Sequence, residues 1–204
     1  MCSSDLAADC VAAKDLAQAQ TLLAQAMTIA PGAARPRMDL ARLQHQQGER
    51  VQAFDTLVQA VAAAPSAVAL MAPLMASYAV NAGQCPAALE QLKSIYAEDR
   101  SLDVLDAIVA LEAATGDTTS TARDWYAHHL EKEPSLVAAA KWIAGEKLEH
   151  EQFHPQVQRA LDHAVKPLTR YRCAACGFEA KQHFWQCPGC QAWDSYPARR
   201  VEEL

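Results

Sequence analysis

Apolar residues in the first two thirds of the chain recur at helical spacing, and the whole pattern then repeats. Ala19, Leu23 and Ala26 fall at i, i+4 and i+7, and Ala53, Leu57 and Ala60 restate them; Pro31 and Pro65, which close the two stretches, stand 34 residues apart. Upstream in the same register Leu6-Ala7 matches Leu40-Ala41. Each unit thus predicts two helices, the first with a large-small pair and the second with Ala-x3-Leu-x2-Ala. Small residues let neighbouring helices approach, and the large one fills the gap between them. A third copy ends near Arg100 with Met75-Ala76, Gly83, Ala88 and Leu92, and with Ile95 where a small residue is expected. A fourth ends at Pro134, with Val109-Ala110, Gly116, Ala122 and Tyr126, and with His129 at its last small position. Gly48, Gly83 and Gly116 lie between the two helices of their units, where a left-handed residue ends the first helix.

A period of 34 is that of tetratricopeptide repeats, so residues 1–134 read as an all-α solenoid of about four units, the first truncated. Over residues 135–168 the pattern changes to one amphipathic helix around Trp142, Ile143 and Leu148 and another around Val157, Leu161 and Val165. Terminal helices of a solenoid are atypical because one face meets something other than a repeat. Pro167 stops the last helix, and residues 169–204 form a small separate module with a short link, expected to dock against the final helices. Thr56 to Leu89 contains no charged residue, but Pro65, Pro73 and Pro86 interrupt it and alanine supplies much of its apolar content; it reads as buried helices and not as a membrane span.

Cysteine usage separates the two parts. Cys2, Cys10 and Cys85 are scattered and read as ordinary small residues, whereas Cys173, Cys176, Cys187 and Cys190 form two Cys-x-x-Cys pairs with ten residues between them. Each pair lets two thiolates from one turn reach one ion, and Gly177 is free to take the positive φ needed after the second ligand. Two turns complete a tetrahedral S4 set for one Fe or Zn ion. Protein then fills every coordination position, which points to a structural or electron-carrying site and away from hydrolysis. The net charge of -6 argues against general affinity for nucleic acid. Arg170, Arg172, Arg199 and Arg200 flank the module and read as solvated charge. No signal peptide is visible at the start.

His150-Glu151-Gln152-Phe153-His154 matches H-E-x-x-H, in which two histidines one helical turn apart bind zinc. Pro155 biases His154 away from helical geometry and no third ligand follows at a suitable spacing, so these read as partly exposed histidines at a helix end. His128-His129 lies on a repeat helix and is expected to be exposed. No glycine-rich phosphate loop or Gly-x-Ser-x-Gly occurs, and nothing else points to an enzyme.

The run from Tyr171 to Phe178 and the run from Trp185 to Trp193, with their paired cysteines framed by aromatic residues, resemble the rubredoxin-type metal module that ends the LapB family of lipopolysaccharide assembly proteins. The resemblance implies repeats joined directly to a rubredoxin-like or zinc-ribbon β module, with Cys173, Cys176, Cys187 and Cys190 as the ligands of one Fe or Zn ion. It further implies a non-enzymatic scaffold on the cytoplasmic face of the bacterial inner membrane, which helps the FtsH protease degrade the deacetylase LpxC. Such proteins begin with a membrane-anchoring helix and further repeats, whereas this chain opens inside the first helix of a unit. It is therefore expected to be the C-terminal part of a longer protein, soluble itself, with any anchor upstream. The alternative is an electron carrier fused to a repeat array; the ten-residue gap, shorter than in free-standing rubredoxins, resembles zinc ribbons more closely.

Overall fold

The structure, a computed structural model, describes residues 3–13, 15–116, 122–146 and 151–204. Within them run α1 (Ser3–Ala12), α2 (Leu16–Ile29), α3 (Ala34–Gln46), α4 (Arg50–Ala63), α5 (Val68–Ala82), α6 (Cys85–Glu98), α7 (Leu102–Thr115), α8 (Ala122–Leu130), α9 (Leu136–Ala144) and α10 (His154–Val165), followed by the short strands β1 (Tyr171–Arg172) and β2 (Glu179–Ala180). The fold is a helical tetratricopeptide array followed by a small cysteine-rich strand module. The chain divides into two compact units, Met1–Gln91 and Leu92–Leu204.

In the first unit each helix packs on the next, from α1 to α5. The repeat positions carry that packing: Ala19, Leu23, Ala26, Ala53, Leu57 and Ala60 are all buried. Of the large-small pairs, Ala7 and Ala41 are buried, while Leu40 is half-buried and Leu6 is 37% exposed. Asp15 caps α2 by accepting from the Gln18 N–H at 3.1 Å, and the His45 ring stacks on Tyr78 at 4.2 Å, tying α3 to α5. Gly48, Gly83 and Gly116 all take positive φ between helices, as their positions in the repeat require.

Two expectations about the charge-free stretch change. Pro65 does break the chain into separate helices, but Pro73 lies inside α5 and Pro86 in the first turn of α6. A first-turn proline loses no helical hydrogen bond, and the burial of Met71, Ala72, Met75 and Ala76 around Pro73 offsets the bond it removes. Among the described residues no single helix is long and apolar enough to cross a membrane; Arg50–Ala63 and Pro65–Ala82 pass that test only as a pair, bent by 116°.

In the second unit α7 packs on α8, α8 on α9, and α9 on α10. Polar ties join this packing. Glu112 on α7, 3% exposed, meets the Lys93 ammonium at 2.7 Å and accepts from the Trp125 indole at 2.6 Å. Tyr126 donates to Asp106 at 2.8 Å, and Lys141 pairs with the same carboxylate. The fourth repeat is shifted by one residue from its expected register: Ala107, Ile108 and Leu111 are buried, whereas Ala110 is exposed and Val109 only partly covered. Its turn glycine comes one residue earlier after the pair than in the preceding copies, so Ile108 takes the inward position. His129 also departs from expectation. It is 2% exposed and its Nδ1 lies 2.7 Å from the Tyr96 hydroxyl, while His128 alone of the pair faces solvent. Occupying a small position of the repeat places it at the helix contact, and the Tyr96 bond satisfies one ring nitrogen there. In the terminal pair Trp142, Ile143, Leu161 and Val165 are half-buried and Val157 is 40% exposed; Leu148 lies outside the described residues.

Candidate metal centre

Two hairpin-like turns of the same design bring the cysteines together. In the first, the Cys173 N–H donates to the Phe178 carbonyl at 2.9 Å and the Gly177 N–H donates to the Cys173 carbonyl at 2.8 Å. In the second, the Cys187 N–H donates to the Ala192 carbonyl at 2.9 Å and the Gln191 N–H to the Cys187 carbonyl at 2.8 Å. Both turns need a left-handed residue four places after the first cysteine: Gly177 sits at φ 77° and Gln191 at φ 62°. The first is free of strain and the second costs about 1 kcal/mol.

The result is a compact cluster of sulfur. Cys173 and Cys190 Sγ are 3.9 Å apart, Cys176 and Cys187 Sγ are 3.7 Å apart, and all four lie within 4.8 Å of one another. Four thiolates at about 2.3 Å from a central ion would stand about 3.8 Å from each other, so the set fits one tetrahedral ion. Cys173 and Cys187 are buried, while Cys176 and Cys190 face solvent. The Ser195 hydroxyl, 3.2 Å from Cys173 Sγ, holds that thiol down at about 6. At Cys176 the Phe178 N–H favours the thiolate, but the neighbouring sulfurs, Cys190 foremost, together with desolvation push it up to about 12. Four sulfurs this close cannot all carry charge by themselves; a cation at their centre removes the conflict. Among the described residues this is the only group of His, Cys, Asp and Glu side chains arranged to hold an ion.

Around the sulfurs an aromatic layer supplies what core the module has. The His183 ring meets Trp185 at 4.7 Å and Tyr171 at 5.6 Å, and its Nε2 lies 3.1 Å from the Tyr196 carbonyl. Burial depresses the His183 pKa, which keeps the ring neutral in this layer. The Tyr196 hydroxyl donates to the Phe178 carbonyl at 3.1 Å, fastening the end of the module over the first turn.

The flanking arginines are paired, and only Arg200 is largely covered, with 26% of its side chain exposed. Arg172 meets Glu179 at 2.8 Å and Arg170 meets it at 3.9 Å, across the β1–β2 pair. Arg199 holds both carboxylate oxygens of Asp99, at 2.9 and 2.8 Å. Arg200 holds both of Asp103, at 3.0 and 2.9 Å, and covers the Tyr171 ring at 4.3 Å. These forked pairs arise because the last turn of the chain returns to the start of α7. Of the H-E-x-x-H motif, His150 lies outside the described residues. His154 opens α10 with Pro155 in its first turn, and its Nε2 lies 3.1 Å from the Ile143 carbonyl.

The sequence left Gln191, Ser195, Tyr196, Glu202 and Glu203 unremarked. Gln191 could have been found from its place four after Cys187, parallel to Gly177 four after Cys173. The bonds that join Ser195 to Cys173, Tyr196 to Phe178, Glu202 to Ser135 and Glu203 to Leu102 span 18 residues or more and leave no local pattern.

Comparison with known proteins agrees with this geometry. The rubredoxin metal binding domain of LapB-type zinc ribbons matches residues 171–196, and a tetratricopeptide repeat family matches residues 11–78. Lipopolysaccharide assembly protein B of Escherichia coli strain K12 is 23% identical over 206 aligned positions, which cover 98% of this chain and 53% of that protein. The corresponding proteins of E. coli O6:H1 and O157:H7 align with the same identity and coverage. Repeats and cysteine module together make this chain similar to lipopolysaccharide assembly protein B. It spans about half the length of the curated relatives it matches. The cysteine turns that carried the resemblance are the segment that the LapB-type metal domain matches, and the tetratricopeptide match takes in the second helix of the first unit, the whole of the second unit and part of the third.

Proposed function

We propose that this chain is the metal-capped C-terminal part of a non-enzymatic scaffold in lipopolysaccharide assembly. The observation that carries the proposal is the alignment with lipopolysaccharide assembly protein B, which continues over 98% of the chain and joins repeats and cysteine module in one order. In this reading Cys173, Cys176, Cys187 and Cys190 hold one Fe or Zn ion, and residues 1–134, 135–168 and 169–204 serve as repeats, terminal helix pair and metal module. A tetrathiolate set leaves no position open to substrate, so the ion contributes folding energy to a module that cannot bury enough apolar surface alone. The repeats supply surfaces for protein partners. By family resemblance those partners are FtsH and LpxC, at the cytoplasmic face of the inner membrane, and the scaffold promotes degradation of the deacetylase.

The test uses the full-length protein that contains this chain, expressed in cells lacking their own relative. Restored turnover of the deacetylase, lost again in Cys187→Ser, supports the proposal. Deacetylase abundance unchanged by the wild-type protein overturns the assigned role, and purified protein with no Fe or Zn overturns the metal assignment.

A further inference from the structure

The last residues of the chain do more than follow the metal module. Glu202 reaches the start of α9: its carboxylate accepts from the Leu136 N–H at 2.6 Å, the Val137 N–H at 3.1 Å and the Ser135 hydroxyl at 2.8 Å. Glu203 reaches the start of α7, where it accepts from the Leu102 N–H at 2.7 Å. Ser101, the residue placed to cap α7, makes no capping bond with its own side chain, and its buried Oγ has no hydrogen-bond partner among the described residues. The acceptor that a neighbouring residue ordinarily supplies to a helix start comes here from 101 residues away. Carboxylates in these positions also complement the positive ends of both helices.

The same tail is fastened to the module. The Val201 N–H donates to the Arg170 carbonyl at 2.8 Å, the Glu202 N–H to the Leu168 carbonyl at 3.2 Å, and the Arg200 guanidinium to the Thr169 carbonyl at 2.8 Å. Tyr171, beneath Arg200, begins the strand that leads directly into Cys173. At the other end of the tail the Ala174 N–H donates to the Ser195 carbonyl at 2.7 Å, and Ser195 contacts Cys173 Sγ. Both ends of the segment that carries Arg199, Arg200, Glu202 and Glu203 are therefore positioned by backbone that the cysteine turns shape.

We infer that the C-terminal segment Arg199–Glu203 is a two-pronged clasp that makes the Glu203 cap of α7 and the Glu202 contacts at the start of α9 conditional on the folded cysteine module, so that the end of the repeat array senses whether the metal site is loaded. The inference rests on the metal reading of the four cysteines. With the cysteine turns formed, Glu202 and Glu203 are held at the two helix starts; with the turns lost, the tail has no fixed path, the start of α7 loses its side-chain acceptor, and α9 keeps only its own cap, Ser135, whose Oγ accepts from the Ala138 N–H at 2.9 Å. The linkage is reciprocal: a helix end that binds the clasp also resists opening of the module.

Amide exchange on the intact chain tests this, with peptides covering residues 101–105 and 135–139 as reporters. Zinc removal by a chelator is expected to raise exchange in both peptides at least tenfold, with little change in the α3–α4 peptides, which lie in the other unit. Glu202→Gln with Glu203→Gln, near-isosteric changes, should raise exchange at the same two places in the zinc-loaded protein. That double variant should also release zinc to a colorimetric chelator several times faster than wild type. Unchanged protection of both peptides in zinc-free protein overturns the inference, as does zinc release from the variant at the wild-type rate. Metal content of the purified wild-type chain is measured first: a chain that holds neither iron nor zinc and takes up neither overturns the metal assignment itself, which separates failure of that reading from failure of the clasp.

Discussion

Ala53 and Cys187 are both fully buried, at 0% exposure, yet they hold together two regions built on different principles. Ala53 belongs to a helical core in which Ala19, Leu23, Leu57, Ala60 and their equivalents each contribute a small amount of apolar burial, about 0.8 kcal/mol per methylene. No single residue there is indispensable, and damage should be graded. The module around Cys187 pairs two strands of two residues and keeps only a thin aromatic layer. Its cohesion is concentrated in four sulfurs, and damage there should be close to all-or-none.

The largest expected effect is that of emptying the site. Chelation, or Cys187→Ser, should abolish the near-ultraviolet circular dichroism of Trp185 and Trp193 and the exchange protection of residues 171–196. Far-ultraviolet signal from the repeats should persist. Structural zinc contributes about 10–16 kcal/mol in small zinc-finger peptides, far more than this module can replace by burial. A chelated protein with its aromatic signal intact would remove the contrast between the regions.

Next comes overpacking of the distributed core. Ala53→Trp should lower stability by about 1–3 kcal/mol or more, whereas Gln47→Ala, at an exposed site whose side chain accepts from Gln20 at 3.0 Å, should stay within about 0.5 kcal/mol. Denaturant midpoints decide the matter, and equal midpoints for the two variants would break the repeat register.

A smaller pair of changes compares the two cysteine turns with each other. A Cβ at Gly177 meets no atom within 4 Å, so Gly177→Ala is expected to cost about 1 kcal/mol through backbone conformation alone, whereas Gln191→Gly should gain up to about 1 kcal/mol. Competition for zinc with a calibrated chelator reads both, and shifts of the same sign would contradict the parallel drawn between the turns.

The smallest expected effect concerns acid. Burial, helped by Arg100 and opposed by Glu133, holds the His129 pKa below its ordinary value near 6.5. The unfolded chain then binds more protons than the folded one on the acid side of that value. The stability due to neutral His129 is present above pH about 6.5 and is lost as pH falls toward the depressed folded value. Unfolding midpoints of wild type should drop across this range more than those of His129→Gln; equal slopes would show that the buried imidazole titrates as it does in water.

Legibility followed the same divide. The positions that form the helical core, from Ala19 to Leu92, were readable because helix packing repeats every few residues and writes itself locally into the chain. The reading slipped at Ala110, where a turn one residue shorter rotates the helix face, and at His129, whose small-residue position gave no hint of the Tyr96 hydroxyl waiting for it. In the candidate metal centre the Cys-x-x-Cys spacing marked the sulfurs, because placing two thiols on one turn is a local requirement. Ser195 and Tyr196 escaped notice, since their contacts with Cys173 and Phe178 depend on how the chain returns after the second turn.

By itself the sequence determined the helical period, the small residues that let helices touch, the left-handed glycines between them, and two turns able to present four thiols. All of these are interactions between residues close in the chain, where few conformations compete. Only the tertiary structure decided that Arg199 and Arg200 pair with Asp99 and Asp103, and that Glu202 and Glu203 finish helices that start 66 and 101 residues earlier. Closing loops of that length costs entropy that grows only slowly with the number of residues between. The choice of partner therefore rests on the geometry of the folded cysteine module and not on any spacing written in the chain.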